Sequence, residues 1–141
     1  MTPRPRSRAP RSRVGLLVAL SGGGMLGSLG RYAVGLALPH AAGAFAWSTL
    51  LVNVTGSLAM GVLVVWVLSM DRPHPLLRPF LGVGVLGGWT TFSSFTLDAR
   101  TMVTEGHGLL AASYVVASFA LGLVAVGVGV TLGERAFGPR P

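Results

Sequence analysis

Four long stretches without charge constrain this chain more than any other feature. They span residues 14–30, 32–70, 79–97 and 106–133, which are 17, 39, 19 and 28 residues. A helix needs about 20 apolar residues to cross a bilayer core of roughly 30 Å. Only 11% of the 141 residues are charged, against about 25% in soluble domains. Because so few charges cannot cover a soluble surface, the sequence excludes a soluble enzyme and predicts an integral membrane protein.

The 39-residue stretch is too long for one span and is divided at Pro39-His40-Ala41-Ala42-Gly43. The stretches are uniformly apolar and lack the alternation of a membrane β-strand. We therefore predict an all-α integral membrane unit over 14–135. Its four transmembrane helices cover residues 14–38, 44–70, 76–103 and 109–132.

The basic residues are all arginines, 11 in number, and give a formal net charge of +7. Five of them lie in residues 1–13, a Pro-rich segment that we predict to be a disordered tail; residues 136–141 form a short C-terminal tail. The cations flank apolar stretches instead of covering a folded polar face, which excludes a nucleic-acid partner. With both termini on one side, that side holds nine arginines. The positive-inside rule then places the termini in the cytoplasm. We expect the chain to be a multi-pass protein of the plasma membrane.

Small residues recur four positions apart in every predicted span. Such pairs let helix backbones approach closely, and membrane helices associate through packing of this kind. They predict tight packing and carry no information about a substrate. Since four helices of this size bury little surface, we also expect the chain to dimerise. The pairs are Gly23/Gly27, Ser57/Gly61, Gly84/Gly88 and Gly129/Gly133.

The third predicted span contains two consecutive glycines followed by β-branched and hydroxyl residues, Gly87 to Ser94. This composition predicts a break in the helix at mid-membrane depth. The backbone groups freed by such a break are tolerated only where they face protein, water or a bound ion. Phe92 and Phe95 follow the break three residues apart, a spacing that is also typical of ordinary packing residues.

Polar side chains inside spans are costly and mark candidate functional positions. Arg31 either reaches an interface as a helix anchor or supplies a cation to a water-filled vestibule. Thr49, Asn53 and Ser57 lie on one face of the second span. They serve either as interhelical contacts or as a track of hydrogen-bond donors, of which the Asn53 amide is the best suited to an anion.

Asp98 is the one acidic residue within a predicted span. It is a candidate proton carrier, helix-end group or gate. Tyr114 and Ser118, four residues apart, form a hydroxyl stripe on the fourth span. We find no paired carboxylates, catalytic triad, metal-ligand spacing or phosphate-binding loop, so we expect no enzymatic activity. The three histidines fall in predicted loops and are expected to be solvated: His40, His74 and His107.

Four motifs in order carry a family resemblance over nearly the whole chain after the basic tail. They are GGxxGSxxRY at 23–32, TLxVNxxGS at 49–57, GGxTTFSSF at 87–95, and the Tyr and Ser of the fourth span. In these residues the chain resembles the Fluc (CrcB) family of bacterial fluoride channels.

The resemblance implies an antiparallel, dual-topology dimer with two fluoride pores that conduct passively and reduce fluoride toxicity. It also implies a structural sodium ion at the dimer axis, held by the backbone carbonyls of Gly87 and Thr90. Fluoride would pass Phe92 and Phe95, with Asn53 donating to it. The resemblance adds pathway hydroxyls from Thr49, Ser94, Tyr114 and Ser118.

Arg31 would then lie at the vestibule and Asp98 would be a candidate gate. This chemistry suits fluoride, which is small and strongly hydrated, because a filter must replace its water with donors. The positive edge of a phenyl ring can also meet an anion without trapping it. Two positions depart from the family pattern: Asp98 stands where Glu is usual, and Gly122 stands where a polar residue is usual.

Two other functions fit a small four-helix membrane protein. A multidrug exporter would need a membrane-embedded acid in the first span, which contains only Arg31 as a charged residue. A non-transporting assembly protein would not need the broken third span with its phenylalanine pair. The arginine bias raises a separate question, because subunits of an antiparallel homodimer should insert both ways. A heterodimer with an oppositely oriented homologue is therefore the alternative to a homodimer.

Overall fold

A computed structural model describes residues 13–138, and four helices in it are long and apolar enough to cross a membrane. Helix α1 is Arg13–Ala37 and α2 is Trp47–Leu68. The third span covers Arg78–Thr104 in two pieces, and α5 is Gly108–Phe137. Residues 13–138 contain no β-strand. The all-α, four-span fold is confirmed, and the chain is a multi-pass membrane protein. The predicted tail lies outside the described residues, apart from Arg13.

The third span is broken in the middle of its length, as the sequence predicts. Its first piece, α3 (residues 78–89), is π-helical over Arg78–Leu86 and α-helical over Gly87–Trp89. Thr90 and Thr91 then take extended backbone angles, with ψ of 161° and 125°. Helix α4 (Phe92–Thr104) begins immediately after them. The Thr91 hydroxyl accepts from the Ser94 amide at 3.1 Å, so threonine caps the new helix in the way this residue favours.

Glycines bring α1 and α3 into backbone contact. A Cβ atom on Gly84 would lie 2.9 Å from the Gly23 Cα. A Cβ on Gly27 would meet the carbonyl oxygen of Val85. Any larger side chain at these positions would push the helices apart, so the predicted small-residue pairs do pack helix against helix.

Helices α2 and α5 form the second closely packed pair. A Cβ on Gly61 would lie 2.5 Å from the Val126 carbonyl oxygen, and one on Gly129 would lie 3.2 Å from the Gly61 Cα. The fold is therefore two glycine-packed helix pairs, α1 with α3 and α2 with α5. Helix α4 completes it by packing against α5.

A small cluster of buried residues lies near the loop that joins α1 to α2. It consists of Ala46, Leu50, Met102, Ala111 and Tyr114. Large apolar side chains elsewhere face outward; Leu109 is 87% exposed and Leu123 is 75% exposed. Because lipid solvates such side chains, an exposed apolar surface is what a membrane-embedded helix presents.

One predicted boundary differs from the structure by several residues. Helix α5 continues to Phe137, past the predicted end of the span at 132 and into the predicted tail 136–141. Its last turns contain Glu134 and Arg135. A helix need not end where its apolar segment ends, because its final turns can leave the membrane and be solvated.

Candidate functional site

The Asn53 side chain holds the break in the third span. Its Nδ2 donates to the Thr91 carbonyl oxygen at 3.0 Å, and the Thr91 amide donates to its Oδ1 at 2.8 Å. One primary amide thus satisfies both backbone groups of Thr91, which the break removes from helical bonding. Of the two interpretations of Asn53, the interhelical contact is present in the structure. Because an amide nitrogen carries two hydrogens, the contact leaves one for another acceptor.

A second contact from α2 fixes the break on its other side. The Trp89 Nε1 donates to the Thr55 hydroxyl at 2.9 Å, and that hydroxyl donates to the Leu51 carbonyl oxygen at 2.7 Å. The sequence analysis missed Thr55 and Trp89. Thr55 lies two residues from Asn53 and so falls off the polar stripe that drew attention to α2.

Arg31 contacts the break from α1. Its Nε donates to the Gly88 carbonyl oxygen at 3.0 Å. As a helix anchor, Arg31 would have to reach the membrane–water interface. This bond instead holds its guanidinium against Gly88, just before the break. The two terminal nitrogens of the guanidinium are not used in that bond, and Arg31 lines the cavity described next.

A cavity of about 660 Å³ lies between α1, α2 and α4. We call it the vestibule. It collects several side chains that the sequence analysis singled out on separate helices, together with Tyr32 and His40. The candidate residues that line it are Arg31, Thr49, Ser94 and Asp98.

The Asp98 carboxylate is the centre of a hydrogen-bonded group at this cavity. The Thr49 hydroxyl donates to its Oδ2 at 2.7 Å, and the Tyr114 hydroxyl lies 3.5 Å from the same oxygen. On the other side, the His40 Nε2 lies 3.5 Å from Oδ1. His40 is an exposed residue, as expected, and its side chain, 28% exposed, also contacts Asp98. No sequence signal joins His40 to Asp98, because the contact is long-range.

A second cavity, of about 420 Å³, lies between α2, α4 and α5. We call it the phenylalanine cavity. Thr91 lines it and also lines the vestibule, so the break separates the two. The sequence candidates on its wall are Asn53, Ser57, Phe92, Phe95, Ser118 and Gly122.

The two phenylalanines have different surroundings. Their ring centroids are 5.9 Å apart. Phe95 also stacks against Tyr114 at 5.4 Å and meets Phe119 edge-on at 5.9 Å. Phe92 is 75% exposed. Phe95 therefore serves as a packing residue as well as a cavity wall, whereas Phe92 presents its ring outward.

The two hydroxyl residues of α5 also have different surroundings. Tyr114 is completely buried beside Asp98. Ser118 lines the phenylalanine cavity, and its hydroxyl donates to the Tyr114 carbonyl oxygen at 2.7 Å. A Cβ on Gly122 would lie 3.7 Å from the Ser57 hydroxyl oxygen. The predicted hydroxyl stripe thus reaches two different environments.

The break changes the bonding of the carbonyls of Gly87 and Thr90. In an unbroken helix these oxygens would accept from the amides of Thr91 and Ser94. Those amides instead bond to Asn53 Oδ1 at 2.8 Å and to Thr91 Oγ1 at 3.1 Å. Residues 13–138 hold no cluster of His, Cys, Asp or Glu suited to a metal. Carbonyls at an unwound point in a membrane helix are suited to Na⁺, so these two oxygens fit a monovalent cation.

Comparison with known proteins identifies the family to which this chain belongs. The family model described as "CrcB-like protein, Camphor Resistance (CrcB)" matches residues 17–130. A "Fluoride-specific ion channel FluC" of Rhodospirillum centenum is 48% identical over 118 residues, covering 83% of this chain and 94% of the relative. A protein with the same name from Rhizobium meliloti is 44% identical over 117 residues, covering 82% and 94%. "Fluoride-specific ion channel FluC 2" of Nocardia farcinica is 43% identical over 130 residues, covering 92% and 90%. The chain therefore belongs to the CrcB family of multi-pass membrane proteins.

Proposed function

We propose that this chain is a subunit of a fluoride-selective channel that lets fluoride leave the cytoplasm passively across the plasma membrane. The observation that carries the proposal is the pair of cavities separated by the break at Thr91. One is lined by Arg31 and hydroxyl side chains, and the other by a phenylalanine pair. Relatives named as fluoride-specific ion channels support it.

The two cavities suit different steps of fluoride conduction. In the vestibule, the Arg31 guanidinium attracts an anion and Ser94 supplies a hydroxyl donor, while the Thr49 hydroxyl donates to Asp98. In the phenylalanine cavity, the Asn53 amide donates to fluoride and the rings of Phe92 and Phe95 offer their positive edges. The residues lining this second cavity carry no charge. Weak sites of this kind replace hydration without holding the ion.

The proposed channel is a dimer in which the breaks of the two subunits meet. The carbonyls of Gly87 and Thr90 would hold a sodium ion there, together with the same carbonyls of the second subunit. When bound, the ion supplies a positive charge that holds the broken third spans of the two subunits together. Its support here is the altered bonding of these two carbonyls.

The second subunit is either another copy of this chain or an oppositely oriented homologue. The arginine distribution favours the homologue. Arg100 is the one arginine assigned to the side opposite the termini, against nine on the other side. Such a bias inserts nearly all copies in one orientation, whereas an antiparallel pair needs both.

The direct test of function is fluoride efflux from liposomes that contain the purified chain. Detergent removes the orientation imposed during insertion, so subunits of one chain can pair antiparallel before reconstitution. We expect rapid efflux at a fluoride electrode once a potassium ionophore balances charge, and no comparable chloride efflux. Protein-free vesicles are the control. Efflux no faster than in that control, from folded dimeric protein, would refute the proposal, as would equal chloride efflux.

The orientation question has its own test in living cells. C-terminal fusions to a cytoplasm-active and to a periplasm-active reporter show on which side the terminus lies. We expect signal only from the cytoplasm-active reporter. Comparable signals from both would indicate dual insertion and therefore a homodimer.

A further inference from the structure

The loop between α1 and α2 brings an imidazole to the Asp98 carboxylate. The His40 Nε2 lies 3.5 Å from Asp98 Oδ1. The side chains are partly exposed, 28% for His40 and 15% for Asp98. An ion pair at this distance in a partly dry site is screened less than one on an open surface.

The pair lies at an entrance to the vestibule. Outside it is a smaller recess of about 210 Å³ formed by the loop 40–44 with Leu97 and Thr101. His40, Leu97 and Asp98 line both the recess and the vestibule. An ion that enters the vestibule from the recess therefore passes beside this histidine and this carboxylate.

The other side chains around the pair set the electrostatic potential that an entering ion meets. Arg31 of α1 lines the vestibule as a cation, and Thr49 of α2 donates to the far oxygen of Asp98. Beyond the loop, Glu105 and His107 approach Gly43: a Cβ there would lie 2.8 Å from the Glu105 Cβ and 3.3 Å from the His107 Cδ2. On the far side, the Tyr114 hydroxyl of α5 lies 3.5 Å from Asp98 Oδ2. Among these groups, Asp98 repels an entering anion at the mouth, and His40 is the imidazole that contacts it.

We propose that His40 sets the rate at which fluoride enters the vestibule, by neutralising Asp98 when the imidazole is protonated. Imidazole changes its charge within the range of about pH 5 to 8. As an imidazolium, His40 neutralises the negative charge of Asp98 at the entrance. The positive charge of Arg31 then dominates the electrostatic potential of the vestibule. As a neutral ring, it leaves the carboxylate uncompensated and fluoride entry slower. This inference rests on the proposed function.

The test measures fluoride efflux from liposomes at about pH 5.5 and about pH 8, either side of imidazole titration, with equal pH inside and outside. Equal pH makes the orientation of each channel irrelevant. Efflux from protein-free vesicles is subtracted at each pH, because hydrogen fluoride crosses lipid. We expect wild-type efflux to be about threefold or more faster at the acidic pH, a modest effect for one screened charge.

Two substitutions at His40 separate charge from shape. His40→Gln cannot be protonated, and we expect slow efflux that no longer depends on pH. His40→Arg is always charged, and we expect fast efflux at both pH values. The matched controls are His107→Gln and His74→Gln, which should keep the wild-type ratio between acidic and alkaline efflux.

A flat wild-type profile, or a wild-type ratio preserved in His40→Gln, would overturn the inference. If His40→Gln does not survive purification, a ratio preserved in His40→Arg would overturn it equally. A ratio lost in His107→Gln but kept in His40→Gln would assign the effect to the other histidine. Absence of efflux from the wild type at both pH values would instead refute the proposed function itself.

Discussion

The side-chain amide of Asn53 forms two hydrogen bonds with the backbone N–H and C=O of Thr91, at donor–acceptor distances of 2.8 Å and 3.0 Å. The two residues are 38 positions apart in the sequence. The pair gives the extended Thr91 the two hydrogen bonds that a helix would have given it. A break in a membrane helix needs such a substitute, because lipid offers no hydrogen-bond partner.

Removing the Asn53 amide should disrupt conduction and stability together. Asn53→Leu has a similar volume but leaves the amide and carbonyl of Thr91 without partners, at a cost of about 1–3 kcal/mol each if they stay buried. We expect fluoride efflux to fall by at least about tenfold, since about 1.4 kcal/mol corresponds to a factor of ten. Efflux from equal amounts of folded protein measures the effect.

The matched control for this substitution is Thr55→Val, which removes the acceptor of the Trp89 indole on the same helix. One neutral hydrogen bond contributes about 1 kcal/mol, so a smaller loss of stability and most of the efflux should remain. Wild-type efflux in Asn53→Leu would contradict the assignment of Asn53 to the pathway and to the break.

The phenylalanines should respond differently to substitution by isoleucine. Phe92→Ile removes an exposed ring, so we expect slower fluoride efflux with unchanged thermal stability. Phe95→Ile removes a partly buried ring that contacts Tyr114 and Phe119, so we expect slower efflux and a loss of about 1–3 kcal/mol. Efflux and thermal unfolding in detergent are measured on the same preparations. Equal destabilisation by both changes would contradict the surroundings described for the two rings.

Glycine packing between α1 and α3 predicts a strong position dependence of alanine substitution. The added methyl of Gly27→Ala would collide with the Val85 carbonyl. We expect a loss of about 1–3 kcal/mol, typical of overpacking. Gly22 on the same helix has open space at its Cβ position, so Gly22→Ala is the control and should be neutral or slightly stabilising. Thermal unfolding in detergent measures both. The same loss at both positions would contradict the packing explanation, because alanine is the better helix former and Gly22 has open space.

Replacing sodium with a large organic cation should weaken the dimer if the Gly87 and Thr90 carbonyls hold this ion. Carbonyl oxygens at the break would then face each other without a charge between them. We expect the dimer fraction in size-exclusion chromatography to fall without sodium and to recover when it returns. Potassium serves as the comparison for size selectivity. A dimer fraction independent of the cation would argue against the sodium site.

Gly122→Ser should be tolerated. The nearest atom to a Cβ at this position is the Ser57 hydroxyl oxygen at 3.7 Å, an ordinary contact. The new hydroxyl would add a donor to the phenylalanine cavity, so we expect unchanged stability and fluoride efflux at least equal to wild type. Efflux below wild type from a stable variant would show that the cavity needs its space at this position more than another donor.

The linear order of residues determined most of the architecture. Charge-free stretches determined the four spans, because burying a charge in lipid is costly wherever it lies in the chain. The Gly-Gly-Trp-Thr-Thr run determined where the third span breaks, because the causes are local: two glycines and two β-branched residues. The amide and hydroxyls of α2 were visible for the same reason, since their spacing alone places them on one face.

Tertiary structure alone decided which of these features meet. Arg31 and Gly88 are 57 residues apart, yet one bonds to the other across the glycine-packed contact of α1 and α3. Asn53 proved to hold the break as well as line a cavity, and His40 proved to contact Asp98. No periodicity encodes such pairs, because they depend on how helices are rotated and paired. That rotation is set by the summed packing of the whole bundle, which only the folded chain contains.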